Sequence, residues 1–312
     1  MRIIRDYTFL DPHARGASAA IGNFDGVHIG HQSVIDIARK AGAQINTPLG
    51  VLTFDPHPRE YFAKDAPPFR LMGPAAKATQ LEKLGVERLN QLNFNTALAE
   101  LTPEDFATRV IHEGLGLRHV VVGADFCFGQ KRAGKAEDLR EFGKKLGFGV
   151  TIAELIQGAQ GHVSSTRIRE ALSAGKPRDA ADMLGHWHRI EGMVISGEQR
   201  GRELGYPTAN MSIDGLHPPH FGVYAVLVDV QDGAHKGRYH GVASMGVRPM
   251  FGMNRPNLET FIFDFSGDLY GATLSVALVE YLRGEEKFDG LDALITQMDA
   301  DSARSREILA SL

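Results

Sequence analysis

The 312-residue sequence has one cysteine, Cys127, and one tryptophan. A single thiol excludes an intrachain disulfide and suits a reducing compartment. No apolar run approaches the roughly 20 residues that cross a bilayer, so no membrane span is expected. The opening MRIIRDYTFLDPHARG lacks an apolar core, which argues against a signal peptide. Neither sign of charge dominates: 34 lysines and arginines meet 38 aspartates and glutamates, a net charge of −4. That balance argues against a nucleic-acid binder relying on bulk charge. Internal repeats and low-complexity tracts are also lacking. What remains is 43% hydrophobic, enough for sizeable cores, and long enough for two domains. The expectation is a soluble, cytoplasmic protein whose partners are small molecules, not nucleic acid or membrane. The sequence assigns no oligomeric state.

The most informative stretch is residues 22–31, GNFDGVHIGH. A small apolar run, 17–21, precedes it and reads as a buried strand. The spacing of Val34, Ile35, Ile37 and Ala38 behind it reads as a helix. The string therefore lies where a strand turns into a helix. Gly22 and Gly26 let the backbone turn tightly and approach a ligand. The helix start offers free N–H groups and a positive dipole end, which favour phosphate. His28 and His31, three apart, fall on one helical face. An imidazolium pair there can stabilise charge that builds as phosphorus is attacked. A metal-binding reading of His-x-x-His lacks a third ligand at zinc-like spacing.

Alternation of strands and helices continues: strands at 49–54, 89–94, 119–123 and 149–152, helices at 75–84, from Thr102, and at 137–146. This predicts a parallel sheet with helices on both faces. His57, in the stiff turn DPHP after the second strand, reads either as a capped turn residue or as a ligand contact at a strand's carboxyl end. In residues 123–134, GADFCFGQKRAG, Phe126 and Phe128 read either as core or as packing for a flat ring. Asp125 is the candidate polar contact there, beside a mobile basic loop. Residues 164–169, SSTRIR, read as a helix cap and as a phosphate clamp of hydroxyls, N–H groups and arginine.

Beyond residue 185 the pattern changes to short strands at 189–196, 222–230, 239–245, 260–265 and 274–282 with glycine turns, which predicts a small closed barrel. Residues 291–312 read as an amphipathic helix against it, with Leu294, Ile295, Met298, Ile308 and Leu309 apolar. Gly197, Arg200, Gly201 and Arg202 form a loop suited to phosphates. In PTAN, Thr208 and Asn210 are two apart and share one side of an extended segment. Their neutral oxygens suit Mg²⁺ carrying ATP phosphates, or else satisfy backbone groups in a turn. Glu259, one charge in an apolar strand, reads as a base for a substrate hydroxyl or as an exposed strand-end glutamate.

These motifs resemble those of the bacterial bifunctional riboflavin kinase/FAD synthetases. GNFDGVHIGH resembles the HxGH signature of nucleotidyltransferases. TFDPHPRE, GADFCFGQKRAG and SSTRIR are similar to later elements of that half, and GRELGYPTAN to the flavokinase signature. LETFIFDFSGDLYG resembles the catalytic-glutamate strand, while Met250 departs from the commoner Asn-Pro-Thr pattern of the flap loop. The resemblance covers nearly the whole chain in the family's order. It implies a Rossmann-like nucleotidyltransferase domain over 1–183, then a flavokinase β-barrel with a carboxyl-terminal helix over 184–312. It implies phosphorylation of riboflavin to FMN by ATP and Mg²⁺, then adenylylation of FMN to FAD with release of pyrophosphate. By the same resemblance Gly22, Asn23, Phe24, Asp25 and Gly26 with Ser165, Thr166 and Arg169 bind ATP, and His57, Asp125, Phe126 and Phe128 face flavin and nucleotide. His28, His31, Glu259 and Asn210 are the expected catalytic residues. The competing readings are a monofunctional adenylyltransferase with a flavin-binding barrel, and a flavin sensor without turnover.

Overall fold

A computed structural model describes residues 1–63, 65–154, 157–158, 161–196, 205–250 and 253–312. The expected phosphate loop, with Gly197, Arg200, Gly201 and Arg202, lies outside the described residues. The chain divides into two compact units: Met1–Ala66 with Pro74–Val163, and Pro67–Gly73 with Ser164–Leu312.

The first unit holds strands β1 (Arg2–Ile4), β2 (Ser18–Ile21), β3 (Leu49–Asp55), β4 (Arg88–Asn93) and β5 (His119–Gly123). A short hairpin, β6 (Cys127–Phe128) with β7 (Gly134–Lys135), and β8 (Gly149–Ala153) follow, then a second hairpin, β9 (Gln157–Gly158) with β10 (Gly161–His162). Six of these strands make one sheet in the order β1-β4-β3-β2-β5-β8, all parallel. Strands buried on both faces read as unbroken apolar runs, which is why β2 and β5 were visible in the sequence. Helix α1 (Ile29–Gln44) follows β2; α2 (Pro58–Phe62) and α3 (Pro74–Lys83) follow β3. Next come α4 (Thr96–Ala99), α5 (Pro103–Asp105) and, after β7, α6 (Ala136–Leu146). Thr102 caps α5 as expected, its side chain accepting from Asp105 N–H, but the helix runs on as a π-helix through Phe106–Gly114. Strand β1 was not expected; three residues at a sheet edge carry too short a pattern to read.

The second unit opens on α7 (Ser165–Ser173) and α8 (Pro177–Leu184). These two helices share a small core of Leu71, Ile168, Leu172, Ala180 and Leu184. Then come β11 (Arg189–Met193), β12 (Thr208–Ser212), β13 (Gly222–Val230), β14 (Gly237–Met250), β15 (Met253–Ile262) and β16 (Thr273–Arg283). They form an antiparallel sheet in the order β11-β16-β13-β14-β15-β12. A bridge between Ile195 and Asn210 brings its two ends together into a near-closed barrel. Side chains alternate across it: Tyr224, Val226, Val228 and Val230 face the interior core, while Val223 and Ala225 face the outer one. Helix α9 (Leu291–Leu309) covers that outer face through Ile308 and Leu309. Leu294, Ile295 and Met298 are only half-buried, so the apolar contact concentrates in the last turns.

Several barrel strands differ in their ends from expectation: β11 stops at Met193, β14 runs on to Met250 and β15 begins at Met253. β15 ends at Ile262 rather than continuing to Phe265. Asp264 has a φ of 55°, which breaks the extended run, so Phe265 belongs to the following loop and Glu259 lies inside the strand.

Gly222, at the start of β13, has a φ of 146°, and a Cβ there would lie 2.2 Å from the Arg283 carbonyl oxygen. Gly222→Ala is expected to cost the barrel roughly 3–5 kcal/mol, seen as a lower midpoint in denaturant unfolding.

Candidate active site

In a parallel sheet every strand delivers its following loop to the same edge. The central strand β2 has β3 on one side and β5 on the other, and the chain departs from β2 in both directions. The loops after these three strands hold residues 22–28, His57 and Asp125 respectively. The reversal of strand order beside β2 makes this edge the crevice of the unit.

The loop after β2 is fixed by one carbonyl. Asn23 O accepts from Thr53 Oγ1 on β3 at 3.1 Å and from Lys77 Nζ on α3 at 2.8 Å. Beyond it Phe24, Gly26 and Val27 all take left-handed backbone, with φ of 51°, 85° and 44°. Gly26 meets the expectation for a tight turn, whereas Gly22 is not left-handed. Phe24, Asp25 and Val27 are buried. Gln32 Nε2 on α1 donates to Val27 O at 2.8 Å, closing the loop on the helix.

His28 is the N-cap of α1. Its Nδ1 accepts from His31 N–H at 3.3 Å, so the ring proton belongs on Nε2. The two imidazoles stack, with centroids 3.6 Å apart and planes 14° from parallel. A Cβ on Gly30 would come within 3.2 Å of the His28 ring, so a larger residue there would press on the pair. Phe24 lies against His31 at 5.1 Å between ring centroids. His31 Nδ1 is closed to solvent and makes no hydrogen bond.

This geometry changes the expected charge. Burial pushes the His28 pKa down from 6.5 to about 4, and the nearby His162 adds to the effect. Burial, then His28 and Lys77, hold His31 well below its ordinary value. Without ligand the pair is thus held toward neutral rings; the imidazolium pair expected from sequence is one over a bound phosphate. Two cations at this separation in a desolvated site would repel strongly.

The remaining residues of this edge fall into place differently. His57 caps α2, its Nδ1 accepting from Arg59 N–H at 3.1 Å while Glu60 Oε2 accepts from His57 N–H at 3.3 Å. Phe128 belongs to the core, and Phe126 stacks on it at 5.6 Å. Asp125 is exposed beside them. The basic loop expected to be mobile is a hairpin turned against Pro103: Cβ atoms on Gly129 and Gly134 would come within 2.7 and 2.8 Å of that proline. Sequence reading missed Lys77, His162 and Phe62. Nothing local marks the first two. Phe62, 69% exposed at the end of α2 beside Tyr61 and Phe94, is an apolar side chain where a surface helix calls for a polar one.

In the second unit Ser164 caps α7, its side chain accepting from Arg167 N–H at 3.3 Å, and Ser165 and Thr166 form the first turn. Arg169 donates from Nε to Phe69 O at 2.5 Å and lies 5.2 Å from the Phe69 ring. On the barrel, Thr208 and Asn210 line a cavity of about 400 Å³ with Val194, Thr260, Ile262 and Leu269. Asn210 Nδ2 donates to Thr208 O at 3.3 Å. Glu259 sits opposite Asn210 in the β12–β15 ladder and opposite Ser244 in β14–β15, so the three share the outer face. Asn257 Nδ2 donates to Glu259 Oε1 at 3.3 Å. Glu259 is not among the residues lining the cavity.

The FAD synthetase family pattern matches residues 10–167, and the riboflavin kinase pattern matches residues 184–309. Over 311 residues the chain is 40% identical to the bifunctional riboflavin kinase/FMN adenylyltransferase of Pseudomonas fluorescens, covering 99% of this chain and 98% of that one. The chain belongs to the bifunctional riboflavin kinase/FMN adenylyltransferase family. The enzyme of the same description from Escherichia coli K12 is 34% identical over 308 residues, 98% of this chain and 97% of that one. A crystal structure from Streptococcus pneumoniae, described as a macrolide-efflux protein, is similar with a TM-score of 0.83 and 32% identity, covering 97% of this chain and 98% of that one. As a member of the family this chain has riboflavin kinase and FMN adenylyltransferase activities, producing FMN and FAD from flavin and nucleotide substrates. The single-activity reading and the sensor reading both give way, because both patterns are matched in one chain that is 40% identical over nearly its whole length to a bifunctional enzyme.

The depressed His28 pKa has a consequence for stability. Between pH 6.5 and about 4 the unfolded chain carries a proton at His28 that the folded chain lacks. Stability therefore falls as pH falls through that window, by on the order of 3 kcal/mol from this residue. Denaturant unfolding at stepped pH is expected to show this slope, and His28→Asn to reduce it by that amount, leaving the part that His31, His119 and His188 contribute in the same direction.

Proposed function

We propose that the bifunctional enzyme divides its chemistry between residues 1–183, which adenylylate FMN, and 184–312, which phosphorylate riboflavin. The observation that carries the first half is the stacked, neutral histidine pair at the crevice edge of the parallel sheet. There the FMN phosphate oxygen attacks the α-phosphorus of ATP, and pyrophosphate leaves. His28, with its proton on Nε2, donates to the α-phosphoryl oxygens as negative charge builds on them. Its ring is pre-positioned by the cap to His31 N–H, so little reorganisation accompanies the reaction. The negative triphosphate favours protonation of the pair once bound, restoring the charge that burial removes. Gly22, Asn23, Phe24, Asp25 and Gly26 shape the pocket floor. Ser165, Thr166 and Arg169 hold the leaving phosphates from the start of α7. Asp125 takes a polar contact with the ligand, and Phe126, His57 and the exposed Phe62 offer flat or apolar surface to the flavin.

In the kinase half the terminal ribityl hydroxyl attacks the γ-phosphorus of ATP, and ADP leaves. Glu259 accepts the hydroxyl proton. Thr208 and Asn210 fit Mg²⁺: both present neutral oxygens on one side of β12, at a cavity wall, and the Asn210 amide nitrogen is already engaged with Thr208 O. A hard cation carried by phosphates needs only a few such protein ligands. When bound, it would neutralise charge on the phosphates. Arg200 and Arg202, with Gly197 and Gly201, lie outside the described residues and are proposed as the phosphate loop on the resemblance alone. Among the described residues no helix is long and apolar enough to cross a membrane, and we place the enzyme in the cytoplasm. Efflux, in the description of the pneumococcal protein, is not carried over to this chain.

Two substitutions test the division. His28→Ala is expected to lower FAD formation by about 10²–10³-fold and to leave FMN formation from riboflavin unchanged. Asn210→Ala is expected to abolish most FMN formation and to leave FAD formation intact when FMN is supplied. Both are read by chromatography of flavins after incubation with Mg-ATP. Loss of both activities from either change, in a folded protein, would overturn the two-site reading.

A further inference from the structure

We propose that the turn His217-Pro218-Pro219-His220 is a positioning device for α7, so that two histidines within the riboflavin kinase match control adenylyl transfer. The inference rests on the reading of α7 as the phosphate-holding helix. It is argued from the other end of that helix. The last carbonyls of this nine-residue helix accept from the residues just beyond it: Glu170 O from Ala174 N–H, Ala171 O from Lys176 N–H and Leu172 O from Gly175 N–H. The turn adds further contacts at this end. His220 N–H donates to Leu172 O at 2.9 Å, and His220 Nδ1 lies 3.0 Å from Ser173 O. His217 Nε2 lies 3.2 Å from Arg169 O and 2.9 Å from Ser173 Oγ. A carbonyl only accepts, so a proton on Nε2 of His217 and on Nδ1 of His220 turns these contacts into hydrogen bonds to Arg169 O and Ser173 O. Neither histidine is used by the chemistry proposed above.

The turn is itself held. His217 N–H donates to Arg70 O at 2.8 Å, and Arg70 bridges Leu216. Two consecutive prolines fix its φ angles. Tyr224, buried in the barrel, donates from its hydroxyl to His220 O, and Tyr281 meets the His220 ring edge-on at 5.3 Å. Arg169 is thereby gripped at two points: its guanidinium by Phe69 and its carbonyl by His217. The segment 67–73 and the turn 217–220 are joined through Arg70, so they act on α7 as one support. The rotation and pitch of α7 are set by this support, and with them the direction in which Ser165, Thr166 and Arg169 point.

The test compares His217→Ala, His217→Gln and Arg169→Ala in the full chain, assaying FAD formation from supplied FMN and, separately, FMN formation from riboflavin. Glutamine places an amide nitrogen near the position of Nε2 and retains the donor. The expected result is that His217→Ala raises KM for ATP in FAD formation about fivefold or more, with riboflavin phosphorylation within about twofold of the parent, and that His217→Gln restores KM. Arg169→Ala is expected to lower FAD formation on its own. If Arg169→Ala lowers it and His217→Ala does not, the positioning role is wrong and the reading of α7 stands. If Arg169→Ala has no effect, the reading of α7 fails and this inference falls with it. If His217→Ala depresses both activities alike, the histidine is merely structural and the proposal is overturned. Should His217→Ala not fold, His217→Asn, whose amide stops short of the Arg169 carbonyl, replaces it with the same expectations.

Discussion

The amino-terminal site depends on the carbonyl oxygen of Asn23. Thr53 and Lys77 both donate to it, one from the adjacent strand and one from α3. With that point fixed, the chain reaches the start of α1 through two non-glycine residues in left-handed backbone, Phe24 and Val27. Each costs about 1–2 kcal/mol. Both side chains are fully buried, and burial of a Phe or Val contributes about 1.5–3 kcal/mol each, so packing outweighs the strain. The strained path puts His28 at the cap position with its Nδ1 turned to His31 N–H. The same Lys77 that holds the loop disfavours a second positive charge on His31. One interaction therefore fixes where the imidazoles stand and adds to the burial that lowers the His31 pKa.

The barrel solves a different problem. Its interior is apolar, so polar ligand groups must face outward or line the cavity at the barrel's wall. The two-residue period of β12 and β15 does this without any special backbone: Ala209 and Met211 point inward, and Thr208 and Asn210 point out, beside Glu259. In the first unit position comes from an unusual loop. In the second it comes from register, and a one-residue slip of β12 would turn both polar groups into the core.

Much of this was legible because it is local. The strand-to-helix string 22–31, the Thr102 cap and the barrel strand 222–230 each carry their signal within a few residues. The end of β15 was misread because Phe261, Phe263 and Phe265 continue an alternating pattern that Asp264 interrupts only through its backbone conformation. The depressed pKa of the free histidine pair was not legible for another reason. Spacing shows that two rings share a face, but not that they stack at 3.6 Å away from water. Lys77 reaches its site across 54 residues and carries no local mark. His57 was open between capping and ligand contact, and the cap is present.

The least legible feature is where α7 belongs. The FAD synthetase match ends at residue 167, inside the first turn of α7, and the riboflavin kinase match begins at 184, the last residue of α8. The residues between look like a linker in sequence. In the fold they are not: Ile168, Leu172, Ala180 and Leu184 close a core with Leu71, which comes from a segment a hundred residues earlier. Packing thus assigns α7 to the unit that contains the barrel, while the FAD synthetase match ends within its first turn. The two assignments answer different questions. A family pattern follows residues kept together by chemistry, and a compact unit follows residues kept together by burial. Burial therefore carries this segment past the end of the first match, and the core around Leu71 is what fixes α7 and α8 against each other.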